Sequence, residues 1–290
     1  MKITAVQKWE TATFATNFIF CKIMESEPEL CKHLLELLLH IEIDHLEPPQ
    51  AERTFKESID SKSVRFDVYT KDSTKIFDIE IQTVNKKNLP KRARYYQSLI
   101  DISNLNEGVN YRNLKESYVV FICLHDPFGK KQPVYTFENI CTEKTELKLN
   151  DGTKKVFFNA RNSDKIESAE EKTFFEFLKN GTAGDEFTNT LKQKVILAKK
   201  NSDWRNQYMT WQQMIDDEKY DAREEGLAEG RAEGRAEGLK EGRISNAREN
   251  ARNMIRDNVS PEQVAKWTSL SLEEVLALQK ELVPVLTESQ

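Results

Sequence analysis

Glycine is scarce in this chain and oddly placed. There are 10 in 290 residues, and Gly226, Gly230, Gly234, Gly238 and Gly242 recur every four residues in GLAEGRAEGRAEGLKEGR. That stretch divides a body from a C-terminal segment. Cysteine is scarce too. Cys21, Cys31, Cys123 and Cys141 form no CxxC pair, and His33, His40, His45 and His125 are not at zinc-finger spacing. This argues against a zinc site and for reduced, mostly buried thiols. Long apolar runs are missing: none approaches the ~20 residues needed to cross a bilayer. The opening MKITAVQKWETATF lacks the unbroken apolar stretch of a signal peptide. A cytoplasmic protein with no membrane partner is the expectation. An excess of one charge sign is also missing. Charged residues make up 31%, yet 43 Lys+Arg stand against 48 Asp+Glu, a formal net charge of -5. As a whole-chain average, that gives no support to a nucleic-acid partner.

What is present is patterned. Phe14, Phe18 and Cys21, with Ile19 and Ile23, recur at helical spacing. Pro28 opens a second amphipathic helix carrying Leu30, Leu34, Leu35, Leu37 and Leu38, which Pro48 and Pro49 are expected to break. VRFDVYTK and KIFDIEIQTV alternate as strands, and the short polar Lys71-Asp72-Ser73-Thr74 between them predicts an antiparallel hairpin. Residues 91–104 read as a helix with Tyr95, Leu99 and Ile102 inward. SYVVFICL is a continuous apolar run of strand length, as in a strand buried on both faces. PVYTFENI and KVFFNA are shorter strands, and residues 168–225 are helical again, with Trp204, Tyr208, Trp211 and Ile215 as one stripe. The order predicts an α/β fold with a mixed sheet flanked by helices. The expected organisation is a body over residues 1–200, a helical extension with the glycine repeat over 201–243, and a helix-turn-helix-like segment over 244–290.

The hairpin carries chemistry. If Asp72-Ser73 is a two-residue turn, Asp67 lies opposite Asp78, Glu80 is its diagonal neighbour and Gln82 extends the row. Phe66, Ile79 and Ile81 then point to the core. Three clustered carboxylates repel one another unless strongly solvated or bound to a cation. On a rigid sheet such oxygens suit a hard divalent ion, which can activate a water and neutralise charge on a phosphate. The plainer alternative is the solvent face of an ordinary hairpin, since any half-exposed strand alternates. Against it stands the next segment, NKKNLPKRARYYQ, which holds Lys86, Lys87, Lys91, Arg92 and Arg94 with no acid, beside Tyr95 and Tyr96. A solvated helix start is its plain reading, but positive charge at a helix N-terminus opposes the dipole.

These residues resemble a known family. The Asp67 … Glu80-Ile81-Gln82 spacing is similar to the PD-(D/E)XK nuclease motif, with glutamine where lysine is usual. NFIFCKIMESEPELCKHLLELLL, FDIEIQ, KRARYYQSLID, DPFGKKQPVYTFENIC, LNDGTKKVFFNARN, DWRNQYMTW, the AEGR-type repeat and SPEQVAKWTSLSLEEVLALQ resemble, in this order, the Rpn family of recombination-promoting nucleases and transposases. The resemblance covers nearly the whole chain. It implies a restriction-endonuclease-like fold and Mg²⁺- or Mn²⁺-dependent cleavage of DNA phosphodiesters. Asp67 and Glu80 would be metal ligands, Gln82 would take the lysine position, and Arg92 and Tyr96 match the family's Arg and Tyr in the following helix. With Lys86, Lys87, Lys91 and Arg94 they would bind DNA phosphate. Glutamine cannot supply lysine's charge or proton, so Lys56, Arg92 or Arg94 are candidates for the missing charge. A relative without activity, binding nucleic acid or protein, is the alternative. Asp78 and Glu36 are candidate additional acids, although Glu36 also fits the polar face of an amphipathic helix.

In the repeat, helical geometry puts Glu229, Glu233, Glu237 and Glu241 in one row and Arg231 and Arg235 in another across the glycines. Each interior glycine costs about 0.8–1 kcal/mol relative to alanine. The alternatives are self-association through the Gly226–Gly242 stripe and a partly helical spacer. Beyond it, Ser260-Pro261-Glu262-Gln263 and Ser271 with Glu274 read as capping boxes. Glu273, Glu274 and Glu281 against Lys280 are poor for a major-groove reader, which favours packing or assembly. Local charge also qualifies the average. Residues 83–100 carry five bases and no acid, a local +5 immediately after the proposed carboxylates.

Overall fold

The computed structural model describes residues 4–55 and 64–286. Two compact units divide the chain, Met1–Gln212 and Gln213–Gln290. The first begins with α1 (Ala5–Glu10), α2 (Asn17–Ser26) and α3 (Pro28–Leu39). Short strands β1 (Gln50–Ala51), β2 (Thr54–Phe55) and β3 (Val64–Arg65) precede the hairpin of β4 (Val68–Lys71) and β5 (Lys75–Gln82). Then come α4 (Leu89–Asn104), β6 (Glu116–Cys123), β7 (Val134–Phe137), β8 (Thr153–Asn159), α5 (Ala169–Asn180), α6 (Glu186–Lys200) and α7 (Ser202–Arg256). The second unit holds the remainder of α7 with α8 (Pro261–Thr268) and α9 (Leu272–Leu286). The expected α/β fold with a mixed sheet flanked by helices is present.

A six-stranded sheet has the order β1-β4-β5-β6-β8-β7. β5, β6 and β8 are parallel to their neighbours in that trio, and the remaining pairs are antiparallel. Central parallel strands need cover on both faces, and the residues supply it. Val68, Phe77, Ile79, Ile81, Val120, Ile122 and Phe158 pack with α2, α3, α5 and α6 in one cluster. Tyr69, Val119, Phe121 and Phe157 form a second cluster with Ala93, Tyr96, Leu99 and Ile100 of α4. Cys21, Cys31 and Cys123 are buried, and burial pushes the thiols of Cys31 and Cys123 up to about 12.

Several expectations need correction. The hairpin pairs Tyr69 with Asp78 and Val68 with Ile79, so Asp67 falls opposite Glu80 rather than Asp78. The cause is Asp72, whose carboxylate accepts from the Thr74 and Lys75 N–H groups at 2.6 and 2.5 Å while its own N–H bonds the Lys75 carbonyl. The turn is therefore Ser73-Thr74. Phe66 lies in the α4-side cluster, 4.9 Å from the Tyr96 ring, not beside Ile79 and Ile81. A bend at Asp67 breaks the alternation there. In α4, Ile102 is half exposed, while Ala93, Tyr96 and Ile100 follow the inward stripe set by a start at Leu89. Helix α3 stops at Leu39, before Pro48, because His40 turns left-handed (φ 51°) and bonds the Glu36 carbonyl.

In the second unit, Ala251, Val264, Leu270, Val275 and Leu278 form a small core. Ser271 and Glu274 close a reciprocal cap. Ser260 makes no side-chain cap, and Pro261 alone marks that start. The glycine repeat is helical throughout, with open space where each Cβ would stand.

Candidate active site

Strand β5 is paired along both edges, and its alternation turns Asp78, Glu80 and Gln82 toward α4. They are buried there, at 0, 0 and 7% exposure. This removes the alternative of a solvated hairpin face. A buried polar row costs stability unless its groups are paired, so the pairing carries the information.

Asp67 and Glu80 hold each other through backbone groups. The Asp67 N–H donates to Glu80 Oε1 at 3.0 Å, and the Ile81 N–H donates to Asp67 Oδ2 at 3.0 Å. The ladder stops at Val68, and these two side chains take over its hydrogen bonds. The Asn17 side chain, at the start of α2, also bonds Asp67. Arg92 reaches in from the first turn of α4. Its Nη2 donates to Glu80 Oε2 at 2.8 Å and its Nη1 to Gln82 Oε1 at 3.2 Å. Gln82 Nε2 completes the group on Glu80 Oε2 at 3.4 Å. Asp78 is different: among the described residues, neither of its buried carboxylate oxygens has a hydrogen-bond partner.

The electrostatics follow from burial and crowding. Burial, then the Asp67 charge, pushes Glu80 well above the usual carboxylate range, against the pull of Arg92. Asp78 is raised well above it by burial, Glu80 and Asp67. Asp67 is raised by burial, with the bonds from Ile81 and Asn17 opposing.

Asp67, Glu80, Gln82, Lys86 and Arg92 line one cleft of about 310 Å³, together with Asn17, Arg65 and Trp211. Lys91, Arg92 and Tyr96 line a second, of about 410 Å³, with Arg65 and Tyr95. Lys87 and Arg94 are exposed and line neither cleft. Glu36, the other candidate acid, lines neither cleft. Its carboxylate accepts the Ile43 N–H at 2.9 Å, which is a helix-end role. Lys56 lies outside the described residues. Sequence reasoning missed Asn17, Arg65 and Trp211. Arg65 stands two residues before Asp67 in VRFDV, but the bend at Asp67 breaks the parity that would link them, and Asn17 gave no signal.

Comparison with known proteins fits this geometry. The model of the PD-(D/E)XK nuclease family transposases matches residues 15–227. The chain belongs to that family. No curated protein and no solved structure matches it. A nuclease-type function follows for this PD-(D/E)XK chain, and the matched span contains every strand of the sheet and every residue of the cleft. Among the described residues no helix is long and apolar enough to cross a membrane.

PD-(D/E)XK nucleases generally use divalent metals. Among the described residues no group of three or more His, Cys, Asp or Glu is arranged as a metal cage. The donor chemistry nevertheless fits a hard divalent ion. Asp67 and Glu80 offer carboxylate oxygens to one cleft, where Arg92 bonds Glu80 directly and Arg65 adds a second guanidinium. Asp78 lines neither cleft, and its two oxygens have no hydrogen-bond partner among the described residues.

Proposed function

We propose that this protein is a metal-dependent DNA endonuclease of the recombination-promoting type, with Asp67 and Glu80 as ligands of Mg²⁺ or Mn²⁺. The observation that carries the reading is the mutual clasp of half-buried Asp67 and buried Glu80, the latter bonded to Arg92, in a cleft of a PD-(D/E)XK chain. The chemistry such an ion supplies is a more acidic water and neutralised phosphate charge. The chain's own residues do the rest. Gln82 is neutral, with a carbonyl acceptor and an NH₂ donor; it holds a water or a phosphate oxygen but delivers no proton. Arg92, Arg65 and Lys86 line the cleft and supply the charge that a lysine at position 82 would have given. Lys91 and Tyr96 continue the path into the second cleft. The exposed Lys87 and Arg94 meet phosphates farther along the strand, sequence-independently. Burial of Glu80 keeps bulk water from screening its pairing with Arg92.

The same reading treats residues 1–200 as the nuclease domain and residues 244–290 as an assembly segment. It assigns self-association to the Gly226–Gly242 stripe and places the protein in the cytoplasm. Asp67→Ala and Glu80→Ala are expected to abolish Mg²⁺-dependent plasmid cleavage while circular dichroism shows an intact fold. Equal nicking by wild type and both variants would refute the proposal. The second reading, a binding module without activity, is favoured by Gln82 in place of lysine. It predicts DNA retention in gel shift with no cleavage by the wild type.

A further inference from the structure

We propose that Arg92 is an internal counter-ion that occupies Glu80 in the metal-free protein and must release it before a divalent cation binds. This rests on the reading of Asp67 and Glu80 as metal ligands. Both oxygens of Glu80 are engaged: Oε1 accepts the Asp67 N–H at 3.0 Å, and Oε2 accepts Arg92 Nη2 at 2.8 Å. The Glu80 side chain is 1% exposed, against 21% for that of Arg92. A hard cation needs a carboxylate lone pair that does not already face a cation. Oε2 also accepts Gln82 Nε2 at 3.4 Å, so both its lone pairs are taken, and a cation reaches it only when one bond opens; the Arg92 bond is the one that sets like charge against the cation.

The surroundings give Arg92 a place to remain when that bond opens. Its Nε and Nη2 donate to the Tyr96 hydroxyl at 3.3 and 2.8 Å. Its guanidinium carbon lies 5.2 Å from the Tyr96 ring centre and 5.6 Å from that of Phe121, within cation–π range. Both rings are buried and fixed in the α4-side core. Arg92 also lines both clefts, so a released guanidinium stays on the path a phosphate takes. A phosphate that accepts from Arg92 frees Glu80, and a cation on Glu80 frees Arg92. Cation and phosphate binding thus favour each other, with reciprocal coupling.

The test is calorimetric titration of the full chain with MnCl₂. If Arg92 holds Glu80 about nine-tenths of the time, apparent affinity is reduced roughly tenfold. Arg92→Gln should then tighten Mn²⁺ binding by about tenfold, and Arg92→Lys, which keeps the charge but loses the fork, by about threefold. Adding Glu80→Ala to either variant should remove the gain. Damaged packing would weaken binding, so a gain separates this role from a structural one. Glu80-dependent Mn²⁺ binding that is unchanged or weaker in both Arg92 variants overturns the counter-ion role and leaves the metal reading in place. Mn²⁺ binding indifferent to Glu80→Ala in every background overturns the metal reading itself.

Discussion

Replacing Asp78 by asparagine should stabilise the metal-free protein, by an amount that grows with pH. Asp78 is 0% exposed, and among the described residues neither carboxylate oxygen has a hydrogen-bond partner. In the unfolded chain it titrates near ~3.9. In the folded chain burial, then Glu80 and Asp67, raise it well above that. An acid with a raised folded pKa destabilises the fold above its unfolded pKa, because folding must take up a proton. Each pH unit between the unfolded pKa and the working pH costs about 1.36 kcal/mol until the folded pKa is reached. Whatever the folded pKa, the cost cannot exceed ~4 kcal/mol at pH 7 or ~1–2 kcal/mol at pH 5, and it is close to zero near pH 4. Asparagine is nearly isosteric and needs no proton. It leaves a similar polar group unpaired, so that penalty cancels in the difference. For a unit of this size, that ceiling limits the gain in Tm to about 8–16 °C. The assay is a set of thermal melts of wild type and Asp78→Asn from pH 4 to 8 in EDTA. A stability difference that is constant across that range, or favours the wild type at pH 7, would refute the reasoning.

Other predictions are simpler. Asp126 accepts from the N–H groups of Phe128, Gly129 and Lys131 and from the Tyr135 hydroxyl. Asp126→Ala should cost about 1 kcal/mol, partial exposure keeping the figure low; denaturant midpoints measure it. Although burial opposes it, the Asp126 pKa is held below the usual carboxylate range by the Tyr135, Lys131, Phe128 and Gly129 bonds. Its contribution is thus complete above the unfolded pKa and fades as pH falls through the folded value, and a loss appearing only above pH 6 would contradict this. Gly230→Ala with Gly234→Ala should add about 0.8–1 kcal/mol each to the isolated helix, since nothing lies within 4 Å of the point where either Cβ would stand. If the stripe mediates self-association, the same pair should lower the sedimentation-derived mass, and deletion of residues 226–243 should abolish the heavier species. An unchanged mass distribution in both would sink that assignment.

The acids were legible because β5 writes a strict period of two in KIFDIEIQ, and a buried neighbour, SYVVFICL, showed that both faces of the sheet were covered. The basic start of α4 was legible from its charge alone. The register was not. A single side chain, Asp72, moves the turn by one residue, and sequence spacing gives no sign of whether a turn aspartate sits in the turn or caps it. The bend at Asp67 then reverses Phe66, which no alternation rule foresees. Asn17 and Trp211 reach the cleft from far along the chain, so only tertiary structure brings them in. Glu36 looked available because helical amphipathicity leaves it polar, but the left-handed turn at His40 brings the Ile43 N–H back onto it.

The cleft also bears on the order of folding. Arg65, Asp67, Glu80, Gln82, Lys86 and Arg92 all come from one continuous stretch, from β3 through the β4–β5 hairpin and the following loop to the start of α4, short enough for its loops to close early. The parallel pairing of β5 with β6 must wait for the longer crossover through α4. During synthesis the charged pocket can therefore take shape before the strands that seal it, leaving Asp78 and Glu80 hydrated until β6 docks. Closure of that strand removes their water, and amide exchange at β6 should report the moment at which the acids become buried.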